Sequence, residues 1–336
     1  MIRLSFAAVA GAAGLIALAF LSIGWGSTPI ALGDLLAAFA RALGLAEGAT
    51  ATPVDRIVID LRTPRALLAI LVGGGLGVVG CLLQTVTRND LADPFLFGLS
   101  SGAAAGAVFV ITVTGDRLGI WTLPLAAFCG GMLAALIVLA LVRRMGFQGP
   151  EKLVLAGLAV SFLFTAVTNY MVFAGDQRAA HSVLFWSLGG LGLARWENLP
   201  LVLFGFAALA AFSALRHRHL DALLGGEMTA TSLGVKAGRF RLEVFLVSAF
   251  STAIFVSVTG VIGFVGLMVP HMARALVGPL HRANLLLSAL FGALLLLSSD
   301  LVARVLLAPQ ELPIGIITAS IGASFIFVML LQRRFN

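Results

Sequence analysis

Apolar stretches of about 20 residues recur along the whole chain, and short polar stretches separate them. A helix of that length crosses the hydrocarbon core of a bilayer. The pattern therefore predicts an all-α polytopic membrane protein with about ten transmembrane helices, in which residues 1–336 form a single transmembrane domain. The predicted spans are residues 6–24, 64–84, 95–113, 119–142, 153–174, 198–215, 242–261, 263–277, 285–307 and 312–331.

The composition also favours a membrane protein over a soluble one. Hydrophobic residues make up 60% of the chain, charged residues 11%, and the mean hydropathy is +1.06. A net charge of +7 is compatible with nucleic acid as a partner, but basic residues of membrane proteins collect in cytoplasmic loops and set the orientation. With the N-terminus inside, most Lys and Arg fall on the cytoplasmic side. We expect a multi-pass protein of the cell inner membrane with both termini cytoplasmic and no nucleic-acid partner.

The first apolar segment resembles a secretory signal, because Arg3 precedes it. A retained span is preferred over a cleaved signal, since ten spans return both termini to the same side. Cys81 and Cys129 fall inside apolar segments, so neither is expected to form a structural disulfide.

The longest charged run extends from Arg216 to Arg241 and reads RHRHLDALLGGEMTATSLGVKAGRFR. Such a run in so apolar a chain must lie in water. Gly225, Gly226 and Gly234 divide it into short pieces of helix. The pattern predicts a docking surface between two membrane-crossing halves. A second polar segment, Leu32–Gly44, has apolar residues at helical spacing and is expected to lie along the membrane surface.

Two predicted spans carry helix faces of distinctive composition. The second span has small residues on one face, which indicates close packing against another helix. These are Gly73, Gly77 and Gly80. The fifth span has a polar stripe that suits either hydrogen bonds between helices or a wetted path. Its residues are Ser161, Thr165, Thr168 and Asn169.

Charged residues inside or between spans offer two further hypotheses. Asp90 and Asp93 in the segment TRNDLADP suggest an acidic metal pair, but the sequence offers no second acidic cluster to share a metal, so a solvated turn is preferred. Pro94 then suits the first turn of the next helix. Asp300 and Arg304 lie four apart and can pair on one helix face, in either a functional or a structural role.

Five sequence blocks together resemble the FecCD-type permeases, the membrane subunits of ABC importers for iron–siderophore complexes, haem and vitamin B12. The resemblance extends from Arg62 to the C-terminus. One departure is Asp90, where the family usually has proline. The blocks are RTPR (62–65), QTVTRNDLADPFLFGLSSGA (84–103), LGGEMTATSLGV (224–235), GFVGLMVPHMAR (263–274) and SSDLVARVLLAPQELPIGIITASIGA (298–323).

The resemblance implies a set of partners. Such permeases are homodimers that carry two cytoplasmic ATP-hydrolysing subunits, and a periplasmic or lipid-anchored binding protein delivers the cargo. The sequence contains no GxxxxGK[ST] phosphate loop, so ATP and Mg are expected on the partner ATPase. We expect no catalytic residues, no metal site and no bound cofactor. Segments 64–174 and 242–331 are expected to form an inverted repeat that gives alternating access.

The resemblance also assigns roles to individual residues. The outer arginines Arg62, Arg65 and Arg304 match positions that bind acidic residues of the binding protein. The translocation path is expected to include Ser161, Thr165, Asn169 and Thr318. The ATPase-coupling residues are expected to be Leu224, Gly225, Gly226, Glu227, Thr231, Leu233, Gly234 and Val235.

Two histidines suggest direct haem ligation as an alternative to structural hydrogen bonding. His271 lies in VPHMAR and His281 in GPLHRAN, where we expect a cytoplasmic turn. Neutral imidazole is a good iron ligand. His181 lies in the outer loop before the sixth span and has no assigned role.

We conclude from the sequence that the chain is the permease subunit of an ATP-driven importer for a metal chelate, with ferric siderophore or haem as cargo and vitamin B12 as the alternative. A different class, an ion-coupled secondary transporter, would need an ionisable site within the membrane. Only Asp300 and Arg304 offer one. A membrane enzyme such as a prenyl transferase ranks last, because it needs two acidic clusters.

Overall fold

The computed structural model describes residues 2–26, 28–45, 52–115, 117–146 and 149–332, and within these ranges the chain is helical without any strand. A π-helical stretch, Arg56–Arg62, joins the helices Pro53–Asp55 and Thr63–Thr87, and a second, Val110–Thr114, extends the helix Leu99–Phe109. The α-helices are α1 (Ile2–Gly24), α2 (Leu32–Ala42), α3 (Pro53–Asp55), α4 (Thr63–Thr87), α5 (Leu99–Phe109), α6 (Thr122–Met145), α7 (Glu151–Ala174), α8 (Gln177–Ser187), α9 (Leu199–Leu224), α10 (Glu227–Ser232), α11 (Ala237–Thr259), α12 (Val265–Val277), α13 (His281–Val305) and α14 (Ile314–Gln332).

The predicted membrane-spanning helices are confirmed. Among the described residues, 8 helices are long and apolar enough to cross a bilayer, and two shorter apolar helices, Leu99–Thr114 and Val265–Val277, fall on the third and eighth predicted spans. The predicted surface helix is present as α2. The prediction about the termini concerns in part residues 1 and 333–336, which lie outside the described residues.

Three local predictions need correction. Helix α9 continues through the first part of the charged run and ends only at Leu224, so the run begins as an extension of a membrane span. The connection before α9 contains α8, which was predicted as loop. Pro94 starts a single 3-10 turn rather than a long helix, because Gly98 adopts a left-handed conformation (φ 75°) before α5 begins.

Helix α4 lies at the centre of the bundle and is buried along most of its length. Its glycine face contacts α13 and α12, as predicted from the spacing. A methyl group added to Gly73 would collide with the carbonyl oxygen of Gly292, and one on Gly80 would collide with that of Gly266. The backbones of these helices therefore touch directly, which only glycine permits at these positions.

The packing pattern repeats between the two halves of the chain. Helix α4 packs against α13, and α11, the first helix of the second half, packs in the same way against α6. The short helices α5 and α12 each follow a residue in the left-handed region, Gly98 and Phe264 (φ 69°). A glycine of a later helix lies against each break: Gly157 of α7 against Phe97, and Gly322 of α14 against Phe264.

Helices α7 and α14 are the least enclosed of the long helices after α1. Only 22% of the residues in the apolar stretch of α7, and 17% of those in α14, are buried within the chain. Large apolar side chains stand on both, for example Phe173 (89% exposed) and Phe327 (66% exposed). Lipid or another protein must cover these surfaces.

The central glycine contact makes a direct prediction for stability. Replacing Gly80 by Ala should lower the melting temperature of the detergent-purified chain, because the added methyl group meets the Gly266 carbonyl and overpacking costs about 1–3 kcal/mol. Gly14→Ala in α1 is the matched control, since nothing lies within 4 Å of that position. Equal melting temperatures for the two variants would contradict close contact between α4 and α12.

Candidate functional site

The short helix α10 is attached to the central helix by one buried arginine. Arg241, 6% exposed, donates from Nε to the carbonyl oxygen of Val86 in the last turn of α4, at 3.1 Å. Its Nη2 lies 2.6 Å from Oε1 of Glu227, the first residue of α10. Arg241 therefore joins α10 to α4. Glu227 was predicted to offer its carboxylate to an ATPase, but part of that carboxylate already has a partner within the chain.

Three exposed apolar side chains lie on α10 and directly beside it. Leu224 is 46% exposed, Met228 88% and Leu233 67%, whereas Ala230 and Val235 face inward and are buried. We call Leu224, Met228 and Leu233 the α10 surface, and the end of the bundle that carries it the α10 end.

Glycines hold this segment in its conformation at both sides of α10. Gly226 (φ 102°) precedes the helix and Gly234 (φ 81°) follows it. Both lie in the left-handed region that favours glycine. The predicted breaks at these glycines are confirmed.

The opposite end of the bundle carries a cluster of charged residues around Asp300, which is fully buried. Arg65 donates from Nε to Asp300 Oδ1 at 2.9 Å and from Nη1 to Glu311 Oε2 at 2.8 Å. Arg304 Nε lies 3.0 Å from Asp300 Oδ2, so the predicted pair on one face of α13 is present. We call Arg65, Asp300, Arg304 and Glu311 the Asp300 cluster.

Arg62 was predicted as an exposed docking residue, but its side chain lies inside the protein. It is 8% exposed and donates to the backbone oxygens of Ile23, Gly24 and Thr28 at 2.6–3.0 Å. Its guanidinium group thus holds the chain that leaves α1, where orphan carbonyls at a helix end need donors.

Arg304, also in the predicted docking set, has a similar position. It is 4% exposed and donates to the oxygens of Ser22 at 2.9 Å and Trp25 at 3.2 Å. All three arginines line a cavity of about 410 Å³ that also borders Glu311 and Thr28. Of the two arginines that form ion pairs with Asp300, Arg65 has the more exposed side chain, at 14% against 5% for Arg304.

The predicted path residues lie in two different environments. Ser161 accepts a hydrogen bond from Ser101 of α5 at 3.3 Å, whereas Thr165 and Asn169 are exposed on α7. Thr318 on α14 is 1% exposed, and its hydroxyl donates to the Gly315 carbonyl at 3.3 Å. Thr318 therefore does not line an open surface of the single chain.

A model of the FecCD transport family matches residues 14–333 of the chain. The chain belongs to the FecCD transport family. A cobalamin import permease of Halobacterium salinarum is 41% identical over 282 residues, covering 83% of this chain and 74% of the relative. A hemin transport permease of Yersinia pestis is 36% identical over 281 residues, covering 83% and 84%. An inward-facing metal-chelate type ABC transporter has a TM-score of 0.81 and 30% identity, covering 97% and 98%.

Family membership makes the chain a membrane permease subunit of ABC-importer type, as the resemblance indicated. FecCD membership also gives the two ends of the bundle different candidate roles. The α10 surface corresponds to the predicted coupling block 224–235, and the Asp300 cluster contains Arg65 and Arg304 of the predicted docking set.

His281 was predicted to lie in a turn as a candidate haem ligand, and the structure corrects its position. It is the first residue of α13 and is 1% exposed. Its Nδ1 lies 2.7 Å from Asp221 Oδ1, and its Nε2 lies 2.7 Å from Thr85 Oγ1. Because both ring nitrogens have partners in this FecCD chain, ligation of iron would require breaking one of these bonds. His271 packs edge-on against Phe325 at 5.7 Å.

The two acids of the turn after α4 have separate structural roles. Asp90 pairs with Arg274 of α12 at 3.1 Å, and Asp93 is buried and accepts from the Phe95 amide at 3.0 Å. Among the described residues, no group of three or more His, Cys, Asp or Glu could hold a metal ion. The predicted turn is present, but Asp93 is buried within it instead of solvated.

Sequence reasoning missed the contacts of the segment that follows α8. The amides of Ile314 and Gly315 at the start of α14 donate to the carbonyls of Gly189 and Leu188, at 3.1 and 3.0 Å. Gly189 also has a positive φ of 68° and lies against Val261. The GG pair at 189–190 and the small residue at 315 were the available signals, but they do not show which segments meet.

The buried acid makes a prediction about pH. Burial raises the pKa of Asp93 to about 6, against an opposing hydrogen bond from the Phe95 amide. Because the pKa of Asp93 is higher in the folded than in the unfolded chain, the free energy of unfolding is highest below the unfolded-state pKa of about 4. It falls as the pH rises from there to about 6. Asp93→Asn should remove this loss, of about 2–3 kcal/mol, and keep the oxygen that accepts from Phe95. Melting between pH 4 and 7 would measure it.

Asp90→Asn is the control, because Asp90 is exposed and paired with Arg274. An Asp93→Asn variant whose melting temperature depends on pH as strongly as that of the parent would contradict the assignment to Asp93.

Proposed function

We propose that this FecCD permease works as a homodimer with two cytoplasmic ATPase subunits and imports a metal chelate, ferric siderophore or haem, across the inner membrane by alternating access. Vitamin B12 is the alternative cargo, which the cobalamin permease of H. salinarum illustrates. Both termini are cytoplasmic in this proposal. A substrate-binding protein on the outer side delivers the cargo. ATP and Mg are bound by the ATPase subunits.

The α10 surface is the observation that carries the proposal. Leu224, Met228 and Leu233 present apolar side chains outside the bundle, on a segment between two long helices. Single exposed apolar residues are ordinary, but three of them on and directly beside one short helix favour a protein partner. Because Arg241 attaches α10 to α4, a partner that moves α10 would also displace the central helix.

The uncovered faces of α7 and α14 support a dimer with the path between two copies. Both helices belong to the predicted path, and both are mostly exposed in the single chain. Thr165 and Asn169 lie on the exposed side of α7. Polar side chains within a membrane favour a wetted or protein-covered surface over lipid.

The Asp300 cluster fits docking of a binding protein through Arg65 rather than through all three arginines. The Arg65 side chain is 14% exposed against 5% for Arg304, and its Nη1 pairs with Glu311, whose side chain is 44% exposed. A carboxylate of the binding protein would then exchange with Glu311. Such exchange permits docking that is specific and reversible.

The rival mechanisms receive less support. An ion-coupled transporter needs a carboxylate that can bind and release an ion, but Asp300 is buried between Arg65 and Arg304 and already neutralised. A prenyl transferase needs acidic residues converging on a metal, whereas Asp90 and Asp93 have the separate partners described above.

Uptake by the complete complex in proteoliposomes tests the proposal. Ferric siderophore, haemin and cobalamin would be offered in turn with the binding protein outside and ATP inside. We expect ATP-dependent accumulation of an iron chelate. Accumulation of cobalamin alone would favour the alternative cargo, and uptake driven by an ion gradient without ATP would contradict the mechanism.

The attachment of α10 can be tested by Arg241→Met. Loss of both contacts should let α10 move without α4 and lower the cargo transported per ATP by about tenfold, as expected for a charge-assisted hydrogen bond of about 1.5 kcal/mol. Arg239→Met is the control, since Arg239 is exposed on the same helix and, among the described residues, forms an ion pair with Glu243 alone. If both variants transport equally per ATP, Arg241 does not couple the helices.

The exchange at Arg65 can be tested by Glu311→Gln. Removing the internal carboxylate partner should strengthen binding of the substrate-binding protein severalfold, and more at low ionic strength. Glu197→Gln is the control, because it removes an equal charge from an exposed residue of the connection next to Trp196, which contacts Ile59 at the same end. Weaker binding by Glu311→Gln than by the parent would refute the exchange.

A further inference from the structure

A cavity of about 360 Å³ opens between α4, α9 and α13 towards the α10 end. One face of α9 forms its first wall, with Phe206, Ala210, Ser213 and His217 at helical spacing. The wall is apolar at the deep end. It becomes polar at Ser213 and ends in the imidazole of His217, four residues and about 6 Å nearer the end of the helix.

The facing wall on α13 also changes from basic at the α10 end to apolar deeper in the bundle. Arg282 stands at the start of the helix, and Leu285, Leu286 and Ala289 follow it towards the middle of the bundle. Val78 of α4 closes the back. Two neighbouring helices thus place basic groups at one end of a groove and only apolar groups at the other, and the basic end coincides with the end of the predicted membrane span.

The polar groups of this groove have unused hydrogen-bonding capacity. Ser213 is 4% exposed, and its hydroxyl has no hydrogen-bond partner among the described residues. Arg282 is exposed and forms no ion pair within the described chain, in contrast to Arg216, which lies 3.5 Å from Glu243. His217 Nδ1 donates to the Ala214 carbonyl at 2.8 Å, which fixes the ring. A buried, unpartnered hydroxyl favours a ligand that supplies a partner.

We propose that this groove binds an anionic glycerophospholipid. The phosphate lies at Arg282 and beside the ring of His217, the glycerol esters lie next to Ser213, and an acyl chain follows Phe206, Leu286 and Ala289. Basic pockets between membrane helices bind anionic headgroups, and the apolar depth of the groove fits a chain that free phosphate or a nucleotide lacks. In the proposed orientation this is the cytoplasmic leaflet. The groove lies apart from α7 and α14, so a dimer through those helices leaves it open to lipid.

Native mass spectrometry of the purified full chain would test the site, with phosphatidylglycerol or phosphatidylcholine added in detergent. The parent should bind one phosphatidylglycerol in preference to phosphatidylcholine. Arg282→Gln combined with His217→Gln should weaken phosphatidylglycerol binding about tenfold. Arg218→Gln, an exposed arginine on the same helix outside the groove, should leave it unchanged.

A second variant tests the apolar part of the groove. Ala210→Phe fills the cavity and should reduce binding of both lipids while the melting temperature stays close to that of the parent. Three results would overturn the proposal: equal binding of the two lipids by the parent, equal effects of the double variant and Arg218→Gln, or displacement of phosphatidylglycerol by millimolar inorganic phosphate alone.

Discussion

The structure depends on direct backbone contact between α4 and its two neighbours α13 and α12. A side chain at Gly73 or Gly80 would strike the carbonyl of the facing helix, so the separation of these helices is set by their backbones. In a bilayer the hydrophobic effect does not drive helices together, and close packing with hydrogen bonds takes its place. Gln84 adds such a bond, since its amide donates to the Gly266 and Leu267 carbonyls at 3.2 and 3.1 Å.

Both candidate sites are built on the ends of this central helix. At one end, Arg65 in the first turn of α4 binds Asp300 and Glu311. At the other, the Val86 carbonyl accepts from Arg241, which holds α10. The surfaces proposed for the binding protein and for the ATPase are thus attached to a single helix. A rigid helix between them explains how docking on one side can influence hydrolysis on the other without a continuous chain of moving side chains.

The parts of this arrangement that follow from local pattern could be predicted from the sequence. Ten apolar segments, the glycine face of α4 and the breaks at Gly226 and Gly234 depend on residues close together in the chain. The pairing of Asp300 with Arg304 followed from their spacing of four residues.

The remaining contacts depend on which distant segments meet, and no spacing reveals that. Arg62 was expected at the surface, because a basic residue beside a span ordinarily reaches water. It is buried because it donates hydrogen bonds to the carbonyl oxygens of Ile23 and Gly24, 39 and 38 residues earlier in the chain. Glu227 was expected to contact the ATPase, and its pairing with Arg241 within the chain was not foreseen. His281 is buried because Asp221 and Thr85 come from two other helices.

Rigidity of α4 is the central claim, and a distance measurement along the helix tests it most directly. Spin labels at Leu67 and Arg88, both exposed, would lie about 30 Å apart along the axis. Electron–electron double resonance would be recorded for the complex at rest, with the binding protein docked and with ATP trapped. We expect one narrow distribution at the same distance in all three states. A distance that changes on docking or on ATP binding would contradict the account, because α4 would then bend instead of connecting the two surfaces as one body.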